Sequence, residues 1–395
     1  MTINNLPTEV LQRIYEHTSI QDLLNLVQTS RKHHRAYLGR KMHLLEQSMS
    51  NSYSPLSSLY KLMIAHEPER KRKPIGTELK KNSMLNRIMQ VPIRPKYTVE
   101  TFAKMAQYGK VAERWTEIYP QFRWRFASVN RRFLGPEEQE RLRGAIYHHW
   151  LYTQLFHDRT FTQYDPDPPS PTSPTDPRLR LLRTFSTIEH IHLSEFIAHI
   201  IILLELDLYP SNTIVQDHYT HPLPVRALSK LAWGDGNEHR RLIRDIMKFS
   251  PRELLHLIDN TSTKQERLDY LSAQGPHFRS TPATLNYGIA AVNMERSIER
   301  RKDPVFHSVK GRLFFPSHIP AIPNQDLQDM LLGIVDVPGA KECREFMEWY
   351  ANDGSKDGDL GRLVQGYSGP LWIGADLVIE EDDDDDDFVS DGDED

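Results

Sequence analysis

The chain has 395 residues, of which 38% are hydrophobic and 26% are charged, and this composition excludes a wholly disordered protein. The net charge of -5 combines unlike regions, because residues 380–395 hold 12 acidic and no basic side chains and residues 1–379 carry a net of +7. The single cysteine, Cys343, excludes an internal disulfide and a thiolate metal site, so we expect a protein of the nucleus or the cytoplasm.

The sequence has neither a secretory nor a membrane signature. Its first ten residues lack the basic and apolar segments of a signal peptide. The most apolar stretch, residues 196–208, is too short to span a bilayer and includes His199, Glu205 and Asp207. We therefore expect no membrane partner and predict a buried helix for this stretch.

A first helix is predicted to begin at Pro7. Proline suits a first helical turn because it has no N–H group to leave unpaired, and Glu9 places negative charge at the positive end of the helix dipole. Val10, Leu11 and Ile14 then recur at helical spacing. These residues predict an amphipathic helix.

Two further helices should follow directly. Ser19 and Asp22 have the spacing of a capping box, in which each side chain accepts a hydrogen bond from the backbone N–H of the other residue. A second helix is therefore predicted immediately after Ser19. Thr29 or Ser30 should end it and cap a third helix over residues 31–37.

Three helices in about forty residues cannot bury all of their apolar side chains in one core. The apolar residues in question are Leu6, Val10, Ile14, Leu24 and Leu26. We expect another protein or the next domain to cover part of this surface, and a partner helix is the natural occupant.

Residues 6–35, LPTEVLQRIYEHTSIQDLLNLVQTSRKHHR, resemble an F-box, like the divergent F-box proteins common in filamentous fungi. The residues that match the family pattern are Leu6, Pro7, Glu9, Ile14, Asp22, Leu23 and Leu24. Two features depart from the pattern: Thr18 stands where a leucine is usual, and His33 and His34 stand where an aromatic residue often closes the motif.

The resemblance implies binding to the Skp-type adaptor of an SCF cullin-RING ubiquitin ligase, and through it to a cullin. It implies an adaptor-binding surface made of Leu6, Pro7, Glu9, Val10, Ile14, Asp22, Leu23, Leu24 and Leu26. The residues alone also fit an ordinary helical hairpin packed on its own domain. Ser48–Ser58, rich in Ser, Asn and Pro, is predicted as a connector to the rest of the chain.

Residues 61–150 are the most basic region, with a net charge of +10. The run from Glu69 to Pro74 resembles a nuclear import signal or is a solvated loop. Further on, aromatic residues at helical spacing predict the core stripe of a helix that Pro120 should interrupt: Trp115, Tyr119, Phe122 and Phe126.

The arginines of this region allow two other interpretations. They could contact a phosphorylated peptide, because guanidinium groups bind phosphate through paired hydrogen bonds. The candidates are Arg123, Arg125, Arg131 and Arg132. Stacking on single-stranded nucleic acid is the least favoured interpretation.

Residues 165–177 hold six prolines and are predicted as a linker or a large loop. Beyond it, helices are predicted over 178–188, 193–208, 224–233, 239–248, 251–260, 264–273 and 284–301. On the second of these, His192, Glu195 and His199 lack a fourth ligand, so no metal is predicted. A β-hairpin is predicted near residues 305–315.

The acidic segment 380–395 is predicted to be disordered. It could shield the basic region, bind basic proteins or promote solubility. The predicted fold is mainly α: a three-helix F-box-like motif, then a larger irregular helical domain with a minor β-hairpin and the acidic tail. The predicted boundaries are 1–45 for the F-box-like motif, 46–164 for a basic helical region, 165–177 for the linker, 178–379 for the helical body and 380–395 for the tail.

No motif of a hydrolase, kinase or dinucleotide-binding enzyme is present, and no cofactor is predicted. We therefore predict a non-catalytic substrate receptor of a ubiquitin ligase, which holds a target protein that the sequence does not identify. The alternative is a scaffold or nuclear interaction protein that uses the same motif without ligase activity.

Overall fold

A computed structural model of the chain describes residues 6–66, 77–92, 95–126, 129, 131–157, 175–219, 221–274 and 283–302. Several predicted features lie outside these residues: the hairpin near 305–315, the acidic tail, the import-like run and most of the proline-rich segment. The described residues are mainly helical and contain no strand. The predicted mainly α fold is thus confirmed.

Three short helices open the fold, as predicted: α1 (Thr8–Glu16), α2 (Ile20–Thr29) and α3 (Arg31–Leu38). They are followed by α4 (Lys41–Tyr53), α5 (Leu56–Ala65), α6 (Thr77–Met89), α7 (Val99–Arg123), α8 (Pro136–Phe156), α9 (Pro177–Arg183) and α10 (Thr187–Leu203). A short π-helix, Leu204–Leu208, continues α10. The remaining described helices are α11 (Asn212–His218), α12 (Val225–Leu231), α13 (Gly236–Ile246), α14 (Pro251–Asn260), α15 (Lys264–Ser272) and α16 (Leu285–Lys302).

Local capping explains where α2 and α3 begin. The Ser19 hydroxyl accepts a hydrogen bond of 3.1 Å from the Asp22 backbone N–H, and Ser30 accepts one of 3.2 Å from the backbone N–H of His33. The predicted capping box is only half formed, because the Asp22 carboxylate accepts its 2.7 Å bond from the Ser19 hydroxyl instead of from the backbone. Each serine still pairs one donor that the helix start would leave unbonded.

The predicted connector over Ser48–Ser58 is wrong except at Ser54 and Pro55, because α4 continues to Tyr53 and α5 begins at Leu56. The polar side chains of this segment bond to backbone groups of the first helices. Ser48 donates to the Tyr15 carbonyl at 3.3 Å, and Asn51 donates to the Glu16 carbonyl at 2.9 Å. Polar residues that suggest a loop are therefore part of a helix that stabilises the end of α1.

One continuous cluster of buried apolar side chains extends from Leu11 on α1 to Val292 on α16. Within it, α8 is buried along most of its length and packs against α5, α7 and α10. The first helices join the cluster through α4, which packs against α1, α2 and α7. The N-terminal helices and the helical body thus share one core.

The aromatic stripe of α7 is largely as predicted. Trp115, Tyr119 and Phe122 are buried, but Phe126 lies beyond the helix end and is 56% exposed. The expected interruption at Pro120 is wrong, because α7 runs through it to Arg123. Pro120 is close to the helix end, so it removes a single hydrogen bond where the helix would soon stop.

Most later helices begin close to the predicted positions, and the predicted helix 251–260 is reproduced as α14. The predicted helix 178–188 is wrong at its end, because α9 stops at Arg183 and α10 already begins at Thr187, six residues before the predicted start at 193. The sequence pattern missed α11, a seven-residue helix that starts after Ser211. Within the described ranges, no helix has the length and apolar character needed to cross a membrane.

Candidate protein-docking surface

Large apolar side chains are exposed on both of the first two helices. Val10 on α1 is 42% exposed and Leu24 on α2 is 40% exposed. Three other predicted docking residues are exposed, Pro7, Glu9 and Asp22, and three are half-buried, Leu6, Ile14 and Leu26. Both helices pack against α3 and α4.

Leu23 is a correction to the predicted docking residues. Its side chain is 0% exposed and belongs to the core that includes Leu11 and Val27. Consecutive residues of an α-helix are rotated by about 100°, so a helix that presents Leu24 to solvent turns Leu23 inward. Leu23 therefore stabilises the domain from inside.

The two departures from the family pattern have structural explanations. His33 occupies the core, 2% exposed, and lies edge-on to Tyr15 with ring centroids 6.2 Å apart. Its Nδ1 is 3.1 Å from the Leu26 carbonyl oxygen. Thr18 donates a 3.0 Å hydrogen bond to the Tyr15 carbonyl at the end of α1. His33 thus fills an aromatic position, and Thr18 adds a side-chain hydrogen bond to a carbonyl at the end of α1.

An ion cluster fastens α1 to the start of α4. The Glu16 carboxylate lies 3.1 Å from Arg13, 2.9 Å from Arg40 and 3.3 Å from His43. Burial would raise the pKa of Glu16, but hydrogen bonds from His43 and Arg13 and the charges of Arg13 and Arg40 outweigh it and lower the pKa. Glu16 is therefore ionised at neutral pH and holds both helices.

The junction between these helices and the body is built from direct contacts. Tyr147 on α8 donates a 3.1 Å hydrogen bond to the Tyr53 carbonyl at the end of α4. Arg143 on the same helix donates one of 2.9 Å to the Ser54 carbonyl. Ser54 in turn donates one of 2.6 Å to Glu140. These hydrogen bonds therefore connect the helices that carry the exposed face to the helical body.

The arginines proposed for phosphopeptide contact are not grouped on one surface. Arg123 is 1% exposed at its side chain and pairs with Glu195 at 2.7 Å. Arg125 pairs with Asp207, whose side chain is 0% exposed. Burial raises the pKa of Asp207, and Arg125 opposes that rise. These two arginines compensate buried carboxylates on α10 and its π-helical continuation. Their role in the fold explains why arginines occur among the aromatic residues here.

The other two arginines lie at the surface. Arg131 is exposed, and Arg132 forms an ion pair with Glu138, which belongs to the first turn of α8. Arg132 also lies over the ring of buried Trp124, 5.1 Å from its centroid. The contact role of the four arginines stays a prediction, and only Arg131 and Arg132 among them are exposed.

Two of the three residues considered for a metal, Glu195 and His199, are engaged in hydrogen bonds. Glu195 accepts from Arg123, and the Nδ1 atom of His199 lies 3.0 Å from the Tyr119 hydroxyl and 2.9 Å from the Glu195 carbonyl oxygen. Across the described part of the chain, no group of three metal-ligating side chains converges. This cluster thus connects α7 to α10.

Residues 3–39 match the F-box-like family model. The match covers α1, α2 and α3, and it confirms the resemblance in the sequence. The chain therefore contains an F-box-like domain at its first three helices. F-box proteins are typically non-catalytic adaptors, and an F-box-like domain suggests an SCF adaptor-binding role. No curated protein and no solved structure matches the chain.

Proposed function

We propose that this protein is a substrate-receptor subunit of an SCF-type cullin-RING ubiquitin ligase. Its F-box-like domain binds the Skp-type adaptor, and the adaptor connects it to a cullin. The observation that carries the proposal is the exposure of Val10 and Leu24 on two helices within the family match. A protein without a partner there would leave both side chains in water.

The chemistry of this face suits a protein partner. Interfaces bury an apolar centre and keep a polar rim that orients the partner. Val10 and Leu24 provide apolar contacts, and the exposed carboxylates of Glu9 and Asp22 provide the rim. Burying each of these apolar side chains contributes about 1–2 kcal/mol.

The proposed mechanism is tethering, and it needs no catalytic residue in this chain. Holding a target beside the ligase makes the transfer of ubiquitin by other subunits effectively intramolecular, and so raises the local concentration of the target. Because the F-box-like domain shares its core with the helical body, a target on the body is held in a limited range of positions. The proposed location is the nucleus or the cytoplasm.

Affinity capture of the full chain tests the proposal. Wild-type protein is expected to recover the Skp-type adaptor together with a cullin. Val10→Asp and Leu24→Asp should each reduce recovery of both at least about tenfold, because a charge would be buried in an apolar interface. Both sites are exposed, so these variants are expected to fold.

Val225→Asp is the matched control. Val225 is 84% exposed on α12, and the same substitution there should leave recovery unchanged. Equal losses from all three variants, or no recovery of adaptor by the wild type, would refute the proposal. Recovery of the adaptor without a cullin would favour the alternative, a scaffold or nuclear interaction protein without ligase activity.

A further inference from the structure

One side of α3 is exposed and basic. Arg31, Arg35 and Leu38 recur at the i, i+4 and i+7 spacing that places residues on one helix face. All three are exposed, and Leu38 is 52% exposed. The opposite side of α3 is buried in the core through His33, Ala36 and Tyr37. The exposed side is called the α3 stripe below.

The sequence segment that contains α3 carries charge of one sign. Residues 23–45 contain no acidic residue and five basic ones: Arg31, Lys32, Arg35, Arg40 and Lys41. Arg40 is paired with Glu16. Within the described ranges, no ion pair involves Arg31 or Arg35. An acidic partner would therefore meet uncompensated positive charge.

Several arginines of the more basic region, 61–150, are paired with carboxylates of the fold. Arg114 pairs with Asp259, Arg123 with Glu195 and Arg125 with Asp207. The charges of these three arginines are thus compensated by carboxylates of the same chain. Sequence composition alone gives region 61–150 the larger positive charge, but part of that charge is paired, whereas among the described residues no ion pair involves Arg31 or Arg35.

We infer that residues 380–395 of this chain bind the α3 stripe. The segment has 12 acidic residues and no basic residue, which complements the stripe in charge. It also contains the apolar pair Phe388 and Val389. These two residues match Leu38 and Met42, which are 52% and 39% exposed beside the basic residues.

The length of the chain permits this contact. Seventy-seven residues, 303–379, separate the end of α16 from the acidic segment, and fully extended they would span about 250 Å. A ligand that belongs to the same chain as its binding site binds intramolecularly, so ion pairs that would be weak between separate molecules suffice. The contact places an acidic segment on the domain that carries the exposed Val10 and Leu24.

Zero-length carbodiimide cross-linking of the full chain, read by mass spectrometry, tests the contact. The reagent joins carboxylates to lysines, so Lys32 and Lys41 report on the α3 stripe. Cross-links from residues 380–395 to these lysines should exceed those to the exposed lysines Lys110 and Lys230 by at least about fivefold at low salt, and should fall several-fold at about 0.5 M salt.

Two charge-reversal variants show whether the acidic segment binds the α3 stripe specifically or is attracted to any positive surface. Arg31→Glu with Arg35→Glu should reduce cross-links to Lys32 and Lys41 about fivefold. The matched control, Arg240→Glu with Arg244→Glu on α13, reverses two other exposed arginines and should leave them unchanged. Circular dichroism of both variants should match that of the wild type.

Three outcomes would overturn the inference. Tail cross-links could be spread evenly over exposed lysines, or survive the α3 reversal. They could also increase with protein concentration, which would indicate binding between copies of the chain. If the α3 reversal instead reduces adaptor recovery while tail cross-links persist, the stripe belongs to the adaptor interface. None of these outcomes changes the result expected for Val10→Asp.

Discussion

Arg123 on α7 and Glu195 on α10 form an ion pair inside the protein, with Nη1 of the arginine 2.7 Å from Oε1 of the glutamate. Their side chains are 1% and 10% exposed. Removing two charges from water is costly, and their contact compensates only while both are present. The pair therefore makes the α7–α10 contact sensitive to the loss of either residue.

Glu195→Ala should lower the free energy of unfolding by about 3 kcal/mol. The substitution removes the carboxylate that compensates the Arg123 guanidinium, which stays buried. Urea denaturation followed by circular dichroism measures the change. Glu117→Ala is the control, since Glu117 pairs with Arg114 where both side chains are about half exposed, and its loss should be below about 0.5 kcal/mol. Equal losses from the two variants would contradict the argument.

Gly109 on α7 allows α4 to approach closely. A Cβ atom at this position would lie 2.5 Å from Cγ of the buried Tyr53 ring. Replacing glycine by alanine inside a helix normally stabilises it by up to about 1 kcal/mol. Here the overlap should dominate, so Gly109→Ala is expected to lower the free energy of unfolding by about 2 kcal/mol.

Gly144→Ala is the matched comparison for this prediction. Gly144 lies inside α8, and a Cβ atom there would meet Cγ of Pro55 at 3.5 Å, an ordinary contact. This variant should be neutral or up to about 1 kcal/mol more stable than the wild type. Thermal denaturation of both variants in one buffer measures their stabilities. A Gly109→Ala variant more stable than the wild type would contradict the prediction and show that Tyr53 moves aside.

Helix starts could be predicted from the sequence because their causes are local. Ser19, Ser30 and Ser250 each accept a hydrogen bond from a backbone N–H three residues ahead. Such a bond needs only a short polar side chain at the right position. The F-box pattern was predictable for the same reason, since its residues form a short continuous segment.

Features that depend on distant residues were missed. Asn51 reads as a loop residue until its bonds to the Glu16 and Thr18 carbonyls are known. Arg123 and Arg125 read as surface charges because their partners lie more than seventy positions further along the chain. Leu23 and Leu24 are chemically identical, and only the packing of α2 buries one and exposes the other.

Two neighbouring histidines of α8 should make the protein sensitive to acid. His148 is 3% exposed and His149 is 0% exposed. Burial lowers the pKa of each from 6.5 to about 4. Both rings are neutral in the folded protein at pH 7, whereas the unfolded chain takes up their protons below pH about 6.5.

Because the unfolded state binds more protons in this range, their contribution to stability is complete above pH about 6.5 and is lost as pH falls toward about 4. The melting temperature should therefore fall by at least about 5 °C between pH 7 and pH 5. His149→Leu should reduce this dependence, whereas His34→Ala, at an exposed position, should leave it intact. An unchanged slope in His149→Leu would refute the assignment.

Residues 1–45 are expected not to fold when separated from the rest of the chain. The cut falls inside α4 and removes Ser48, Asn51 and Ser52. These side chains bond to the Tyr15 and Glu16 carbonyls and to the Ile20 backbone N–H, the groups at the turn between α1 and α2.

A peptide of residues 1–45 should therefore show little helical circular dichroism and no cooperative melting, because short helices without tertiary support are marginal in water. A peptide of residues 1–53 restores the missing bonds and should be more helical. It still lacks the two body residues that contact Tyr53, namely Tyr147 and Gly109. A cooperative transition in residues 1–45 would mean that these three helices stabilise one another without α4. The shared core argues against that result, since Leu44, Leu45 and Met49 of α4 belong to the same cluster as Leu11 and Leu23.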